Sequence, residues 1–266
     1  MYTLGHIIFI VISLLIVAAI VFVCRKNKWQ IDSIIKVVFV IAVICEIIKV
    51  FSLIDIYPIV NSTIENGTIV YRETGQYFPY LEVVHMPFEL CSLQMFFMFI
   101  YLTIKNETWK RRIYALIYGT ALIGGILAIF ASYVAIELET AGDFLLSIRV
   151  WEFYIYHAMI MAVAILMAMD NKYKLQFKDC KSTCVLIFLL DIVSIHLNSI
   201  FSIPVYVNGK LIGLNNSVNF FSSYSNPLGT PITNKYQYLF YLLTRFLIVL
   251  FLIIIIYLPF LKKRKN

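Results

Sequence analysis

Seven long apolar stretches dominate the sequence and restrict it to a narrow class of folds. They span residues 4–24, 31–54, 83–104, 113–135, 149–169, 184–204 and 236–260. A helix needs about 20 mainly apolar residues to cross a bilayer, so each stretch predicts one membrane-spanning helix. The chain is 61% hydrophobic and 14% charged, whereas a soluble domain has about 25% charged residues. We therefore expect an all-α polytopic membrane protein, with residues 1–266 forming a single seven-helix transmembrane domain.

The basic residues between these stretches predict the topology. They form clusters in alternate loops, at residues 25–28, 105–112, 172–181 and 262–265. The loops of the other side contain Arg72, Lys210 and Lys235. Because lysine and arginine collect in short cytoplasmic loops, the four clusters predict the cytoplasmic side. Seven helices then leave the N-terminus outside and the C-terminus inside, in a multi-pass protein of the cell membrane.

The net charge of +7 does not predict nucleic-acid binding, because the basic residues follow the topology pattern. Five cysteines form no even disulfide framework. Cys180 and Cys184 are four residues apart, but no histidine or further cysteine lies near them, so zinc is not expected. We expect no metal ion and no cofactor.

Two long loops, residues 55–82 and 205–235, fall on the predicted outer side. Each contains an Asn-Gly pair flanked by β-forming residues, at Asn66-Gly67 and Asn208-Gly209. Asn-Gly suits a tight hairpin turn, so both loops predict short β-hairpins. They are either structured connectors or a lid over an outward-facing cavity.

Polar side chains inside the apolar stretches are the most informative positions, because each costs free energy in lipid unless it faces a partner or water. They are Glu46, Lys49, His85, Glu89, Cys91, Glu152, His157, Asp191, His196, Asn198 and Arg245. Helical spacing lets Glu46 pair with Lys49 and places Asp191 on one face with Asn198. These side chains either hold helices together or line a polar cavity that opens outward.

Cys91 is the candidate nucleophile, and His157 is the candidate base. A buried thiol is inert unless a base or a positive charge stabilises its thiolate. Pro87 predicts the first turn of the third helix, with His85 at the rim. On a straight helix Glu89 and Cys91 lie about 200° apart, so we expect only one of them to face a small pocket. A lone buried cysteine or histidine is also compatible with plain packing.

The stretch Met86–Leu93, the run Phe153–His157 and the segment from Asn215 to Pro227 resemble the bacterial YwaF family. That family is similar to the eukaryotic transmembrane protein 164 acyltransferases. The resemblance implies a seven-helix fold in which Cys91 and His157 move fatty-acyl chains between membrane phospholipids. In this sequence Glu89 stands where other members have a histidine, so whether the chemistry is kept stays open.

The resulting hypothesis is acyl transfer, or lipid hydrolysis, through a thioester at Cys91. Asn198, His196 or Asn219 would stabilise the oxyanion. The substrate-binding set is His85, Glu89, Glu152, Asp191, His196, Asn198, Asn219 and Arg245. The alternative is a carrier or ligand-binding sensor, in which the intramembrane acidic and basic residues form the path for an ion or small molecule.

Overall fold

The protein is described here from a computed structural model. The structure describes residues 3–65, 68–131, 140–207, 210–215, 219–222 and 233–261. The end of the fourth predicted stretch, both Asn-Gly turns, most of the segment from Asn215 to Pro227 and the basic residues 262–265 lie outside these ranges.

The chain is mostly helical, as its apolar stretches predict. The helices are α1 Leu4–Lys26, α2 Ile31–Leu53, α3 Leu93–Thr103, α4 Glu107–Phe130, α5 Ala141–Leu146, α6 Ile148–Met169, α7 Asp179–Ile200 and α8 Lys235–Tyr257. Each of the seven apolar stretches overlaps one helix of 11 residues or more, and α5 is an additional short helix before α6. The N-terminal caps follow ordinary rules, since Asn106, Ser147 and Asn234 accept backbone N–H groups at the starts of α4, α6 and α8.

Five helices in the described ranges are long and apolar enough to cross a bilayer: α1, α4, α6, α7 and α8 with the turn that follows it. The helix α2 is equally long, but it carries Asp32, Lys36, Glu46 and Lys49. The helix α3 has only 11 residues. Glu46 and Lys49 are on α2, and Glu89 and Cys91 directly precede α3.

The predicted start of the third helix is wrong. A 3₁₀ turn covers Val83–His85, residues 86–92 form turns, and the α-helix begins only at Leu93. Pro87 therefore lies in a non-helical segment and not in a first helical turn. The backbone N–H of Leu93 still donates to the carbonyl of Glu89, which marks the transition into the helix.

Both predicted hairpins are confirmed, and the first is longer than expected. The strands β1 Asp55–Glu65 and β2 Thr68–Tyr80 pair antiparallel, with an irregularity between Pro58 and Val60. The strands β3 Ile203–Val207 and β4 Lys210–Asn215 form the second pair. The fold is therefore a helical bundle with two β-hairpins, and not purely α.

The helix α6 is central, because it packs against α1, α2 and α4. The helices α4 and α6 approach each other closely at Gly125, which is on α4. A Cβ atom on Gly125 would lie 2.8 Å from Cβ of Met161 and 3.2 Å from the carbonyl oxygen of His157. Only glycine allows this spacing, and the spacing places the middle of α6 firmly against its neighbour.

Polar contacts lock the end of the bundle that carries the basic clusters. Tyr101 donates to Asp32 at 2.6 Å, and Lys172 forms an ion pair with the same carboxylate. Tyr173, in the loop after α6, donates to Glu107 at 2.9 Å. Burial, together with that hydrogen bond, raises the pKa of Tyr173 to about 12, so its phenol remains a donor at neutral pH.

Candidate functional site

A cavity lies at the other end of the bundle, near the ends of α2 and α6 that adjoin the hairpin β1–β2 and α5. It encloses about 690 Å³, including the open space at its mouth. Its walls come from α2, the non-helical segment before α3, and the first turns of α6. The lining residues are Ala42, Cys45, Glu46, Lys49, His85, Met86, Glu89, Cys91, Ser92, Met95, Arg149, Glu152, Phe153, Tyr156 and His157.

The charges in this cavity come mostly as ion pairs along single helices. Lys49 lies 2.6 Å from Glu46, which confirms the pair predicted from their spacing. Arg149 pairs with Glu152 one turn into α6. Arg149 was not among the predicted polar positions because it is the first residue of an apolar stretch. Its spacing of three residues from Glu152, the same as in the α2 pair, was the available signal.

Cys91 lies on non-helical backbone that forms one wall of the cavity. The hydroxyl of Tyr156 on α6 donates to the carbonyl oxygen of Cys91 at 2.5 Å. This bond ties the segment to α6, one residue from His157. Irregular backbone is tolerated at membrane depth only where protein or a cavity surrounds it, and this segment meets that condition.

Glu89 and Cys91 line the same cavity, so the expectation that only one of them faces it is wrong. The angular argument assumed a straight helix, and residues 86–92 are not helical. Both side chains are half-buried. Glu89 and Lys49 thus bring a negative and a positive charge to the cavity that Cys91 lines.

His157 is 3% exposed and is held in one tautomer. Its Nδ1 lies 2.7 Å from the carbonyl oxygen of Phe153. A carbonyl only accepts, so we infer that Nδ1 carries the proton of the neutral ring and that Nε2 carries the lone pair. Nε2 is buried and has no hydrogen-bond partner within the described ranges. The ring also contacts Phe153, with 4.1 Å between the ring centroids.

Cys91 and His157 thus line one cavity, but no hydrogen bond joins them, since Nε2 of His157 has no partner among the residues that the structure describes. Catalytic hydrogen bonds are often long without substrate and shorten in the productive complex. The arrangement provides a thiol and a basic nitrogen of fixed tautomer at the same cleft. Such a pair can carry out nucleophilic chemistry.

Further predicted site residues form a second group, outside the cavity lining, around Phe220 and Phe221. Asn198 accepts from the N–H of Phe220 at 2.9 Å and donates to its carbonyl oxygen at 3.2 Å. Arg245 donates to the carbonyl oxygen of Phe221 and pairs with Asp191 at 2.9 Å. Phe221 has a φ of 57°, an unusual conformation for a bulky residue, so these contacts hold a strained turn.

Glu89 joins the two groups. Its carboxylate accepts the backbone N–H of Phe221 at 3.4 Å while the side chain lines the cavity. The ring of Phe88 also packs against two aromatic rings. Its centroid lies 5.4 Å from that of Phe220 and 6.1 Å from that of Phe201. The segment that carries Cys91 is therefore fixed on one side by α6 and on the other by the turn before α8.

The remaining predicted residues are placed as follows. His85 lines the cavity. Asn219 is half-buried directly before the strained turn at Phe220 and Phe221. His196 is exposed on α7, where its Nδ1 donates to the carbonyl oxygen of Ile192, so the structure does not bring it to the cavity. No group of three or more metal-binding side chains occurs in the described part of the chain.

A model of the TMEM164 family matches residues 1–257. The chain belongs to the TMEM164 family. No curated protein and no solved structure matches it. Membership of the TMEM164 family agrees with the five apolar helices, and together they show that the chain is a membrane protein with several candidate spans.

In this TMEM164-family protein, we expect Tyr156→Phe to loosen the segment that carries Cys91. The change leaves a carbonyl without its donor, which costs about 1–3 kcal/mol and makes local opening about five- to 150-fold more frequent. The measurement is the rate at which N-ethylmaleimide labels Cys91 in a variant lacking the other four cysteines. The matched control is Tyr118→Phe, which removes a similar bond to the carbonyl of Ile256, 2.9 Å long and distant from the cavity. Equal labelling rates in both variants would contradict the prediction.

Proposed function

We propose that this protein is a lipid acyltransferase that moves fatty-acyl chains between glycerophospholipids through a thioester at Cys91. The observation that supports this most strongly is the position of Cys91 and His157 on one cavity, with Nε2 of His157 buried and without a hydrogen-bond partner within the described ranges. Membership of the TMEM164 family agrees with the proposal, since the sequence motifs resemble the acyltransferases of that family.

In the first half-reaction, Nε2 of His157 takes the proton of the Cys91 thiol, and the sulfur attacks an ester carbonyl carbon of a phospholipid. The C–O bond of the ester then breaks, and His157 returns the proton to the departing glycerol oxygen. The products are a thioester on Cys91 and a lysophospholipid. Atoms, charge and protons balance without a cofactor.

In the second half-reaction, the hydroxyl of a lysophospholipid gives its proton to His157 and attacks the thioester. The C–S bond breaks, and the sulfur recovers its proton. Water in place of the lysolipid would release a free fatty acid, which is the hydrolase outcome. Exclusion of water by the buried walls of the cavity favours transfer.

The proposed topology has seven spans with the N-terminus outside and the C-terminus in the cytoplasm of a cell membrane. The resemblance to the YwaF family implies the seven helices, and the basic clusters in alternate loops support the orientation. The charged side chains of α2 support its inclusion as a span, because Glu46 and Lys49 are paired and line the cavity, and Lys49 is only 7% exposed. Two elements, α3 and the segment before it, make up the third span. The cavity then opens toward the outer leaflet, where phospholipids are its partners.

The carrier or sensor alternative is less well supported by the geometry. A continuous path would use Glu46, Lys49 and Glu89 together with Asp191 and Arg245. The first three line the cavity, but Asp191 and Arg245 pair with each other outside its lining. Four of these five charges are thus accounted for by two ion pairs, one within α2 and one between α7 and α8.

The test is to incubate the purified protein in lipid vesicles with a phospholipid labelled in its acyl chain and an unlabelled lysophospholipid. We expect label to reach the lysolipid and a hydroxylamine-sensitive label to appear on the protein, on the peptide that contains Cys91. A folded protein that neither becomes labelled nor transfers the chain would refute the proposal.

A further inference from the structure

A second cavity lies at the opposite end of the α2–α6 pair. It encloses about 450 Å³ including its mouth, and it lies between the end of α1, the start of α2 and the end of α6. Its lining residues are Cys24, Arg25, Lys28, Trp29, Ile31, Ile34, Leu166, Met169 and Asp170. We call it the basic cavity, because Arg25 and Lys28 are on one side of it. Its other walls are mostly apolar. None of its lining residues belongs to the site around Cys91.

The two cations of the basic cavity are free of carboxylate partners. Arg25 donates only to the sulfur of Met169, at 3.4 Å, among the contacts that the structure describes. Within the same ranges, Lys28 has no ion pair. Both side chains are exposed at the mouth. These two positive charges outnumber Asp170, the carboxylate in the lining, so the cleft attracts an anion.

The nearby acids are occupied by other partners. Asp170 accepts the backbone N–H of Lys172 at 2.8 Å and the hydroxyl of Tyr114 at 3.5 Å. Asp32, in the first turn of α2, is held by Lys172 and Tyr101. Lys172 thus neutralises Asp32, whereas the described donors to Asp170 are neutral, so this carboxylate keeps its negative charge. The lining therefore carries two positive charges and one negative charge, and the excess positive charge is available to a ligand.

The backbone keeps the cations in place. Lys28 has a φ of 51°, in the left-handed region that usually requires glycine. The N–H of Lys28 donates to the carbonyl of Arg25, and that of Trp29 donates to the carbonyl of Cys24. No side chain caps the first turn of α2, whose N–H groups carry partial positive charge beside the same cleft. A lysine in a strained conformation at this point adds a charge that glycine could not.

We infer that the basic cavity binds the phosphate group of an anionic phospholipid headgroup from the adjacent leaflet. Arg25 and Lys28 bind the phosphate oxygens, and Trp29 lies at the level of the headgroups, as tryptophans at membrane interfaces do. Ile31, Ile34 and Leu166 contact the glycerol and the upper acyl chains. The inference is independent of the acyl transfer proposed above, because it uses no residue of that site.

The test measures lipid binding to the full-length protein in detergent by native mass spectrometry. Phosphatidylglycerol is titrated against phosphatidylcholine with the same acyl chains, in wild type and in Arg25→Gln/Lys28→Gln. We expect wild type to prefer phosphatidylglycerol by about tenfold or more, and the double variant to lose that preference. The charge-keeping variant Arg25→Lys/Lys28→Arg should retain most of it.

The matched control is Lys26→Gln/Arg112→Gln, which removes two charges from the same end of the bundle but none from the cavity. Lys26 lies over the ring of Phe22, and Arg112 over that of Trp109. An equal loss of preference in this control, or none in Arg25→Gln/Lys28→Gln, would overturn the inference in favour of a general attraction to basic residues. Displacement of the bound lipid by millimolar inorganic phosphate would assign the site to free phosphate and would exclude the lipid as its specific occupant.

Discussion

We expect Cys91→Ala to abolish both acyl transfer and protein labelling, and Cys45→Ala to leave both nearly unchanged. Both cysteines line the same cavity, so the pair separates a nucleophile from a neighbouring thiol in the same surroundings. They differ in position, because Cys91 is on the segment that Tyr156 ties to α6 beside His157, whereas Cys45 is on α2. Loss of a nucleophile typically lowers turnover by about a thousandfold or more.

His157→Gln is expected to lower the rate by about 10²–10⁴-fold, the usual contribution of a general base. The double variant Cys91→Ala/His157→Gln should be no less active than Cys91→Ala alone, because residues that act as one unit are not additive. The measurement is the initial rate of label transfer, with the thermal unfolding of each variant as the check on folding. Transfer that persists in Cys91→Ala would exclude the covalent route.

The second large effect concerns stability. Asp191→Asn is expected to lower the free energy of unfolding by about 3–5 kcal/mol, because it leaves the charge of Arg245 without its counter-ion. The two side chains are 11% and 14% exposed, and they lie 2.9 Å apart. Arg245 also holds the carbonyl of Phe221, so a displaced guanidinium would release the turn that contacts Glu89. The measurement is unfolding in mixed micelles.

The comparison for this prediction is Lys172→Met, which breaks an ion pair whose side chains are 44% and 37% exposed. Exposed pairs contribute about 0–1 kcal/mol, so this change should be mild. In the double variant Asp191→Leu/Arg245→Leu, we expect part of the stability to return, since no unpaired charge is then buried. A mild effect of Asp191→Asn would show that water reaches this pair.

The sequence predicted most of the helices because apolar stretches of this length have few alternatives. Helical spacing also predicted the pair of Glu46 with Lys49, since the two residues are on one turn and need no tertiary information. The two hairpins followed from Asn-Gly pairs between β-forming residues. In each case the pattern lies in residues that are close in the sequence, so it can be recognised without knowledge of the fold.

The candidate site depends on contacts between residues that are far apart in the sequence. Residues 86–92 read as the start of an apolar helix, but Tyr156 and the contacts of Glu89 hold them as turns. A partner that is 65 residues away in sequence leaves no periodic pattern. The strained turn at Phe220 and Phe221 was not predicted from the sequence for the same reason. Its partners Asn198 and Arg245 are on two different helices, α7 and α8.

The shortness of α3 has a consequence for the surrounding lipid. Its 11 residues rise about 16 Å, whereas the hydrocarbon layer is about 30 Å thick. In the proposed seven-span topology only about half of the third span is helical, and the bilayer beside α3 would adapt to this mismatch by thinning. Thinning would lower the ester groups of nearby phospholipids toward the depth of Cys91. The membrane itself would then present the ester to the sulfur, and bilayers of shorter acyl chains should do so at a smaller energetic cost.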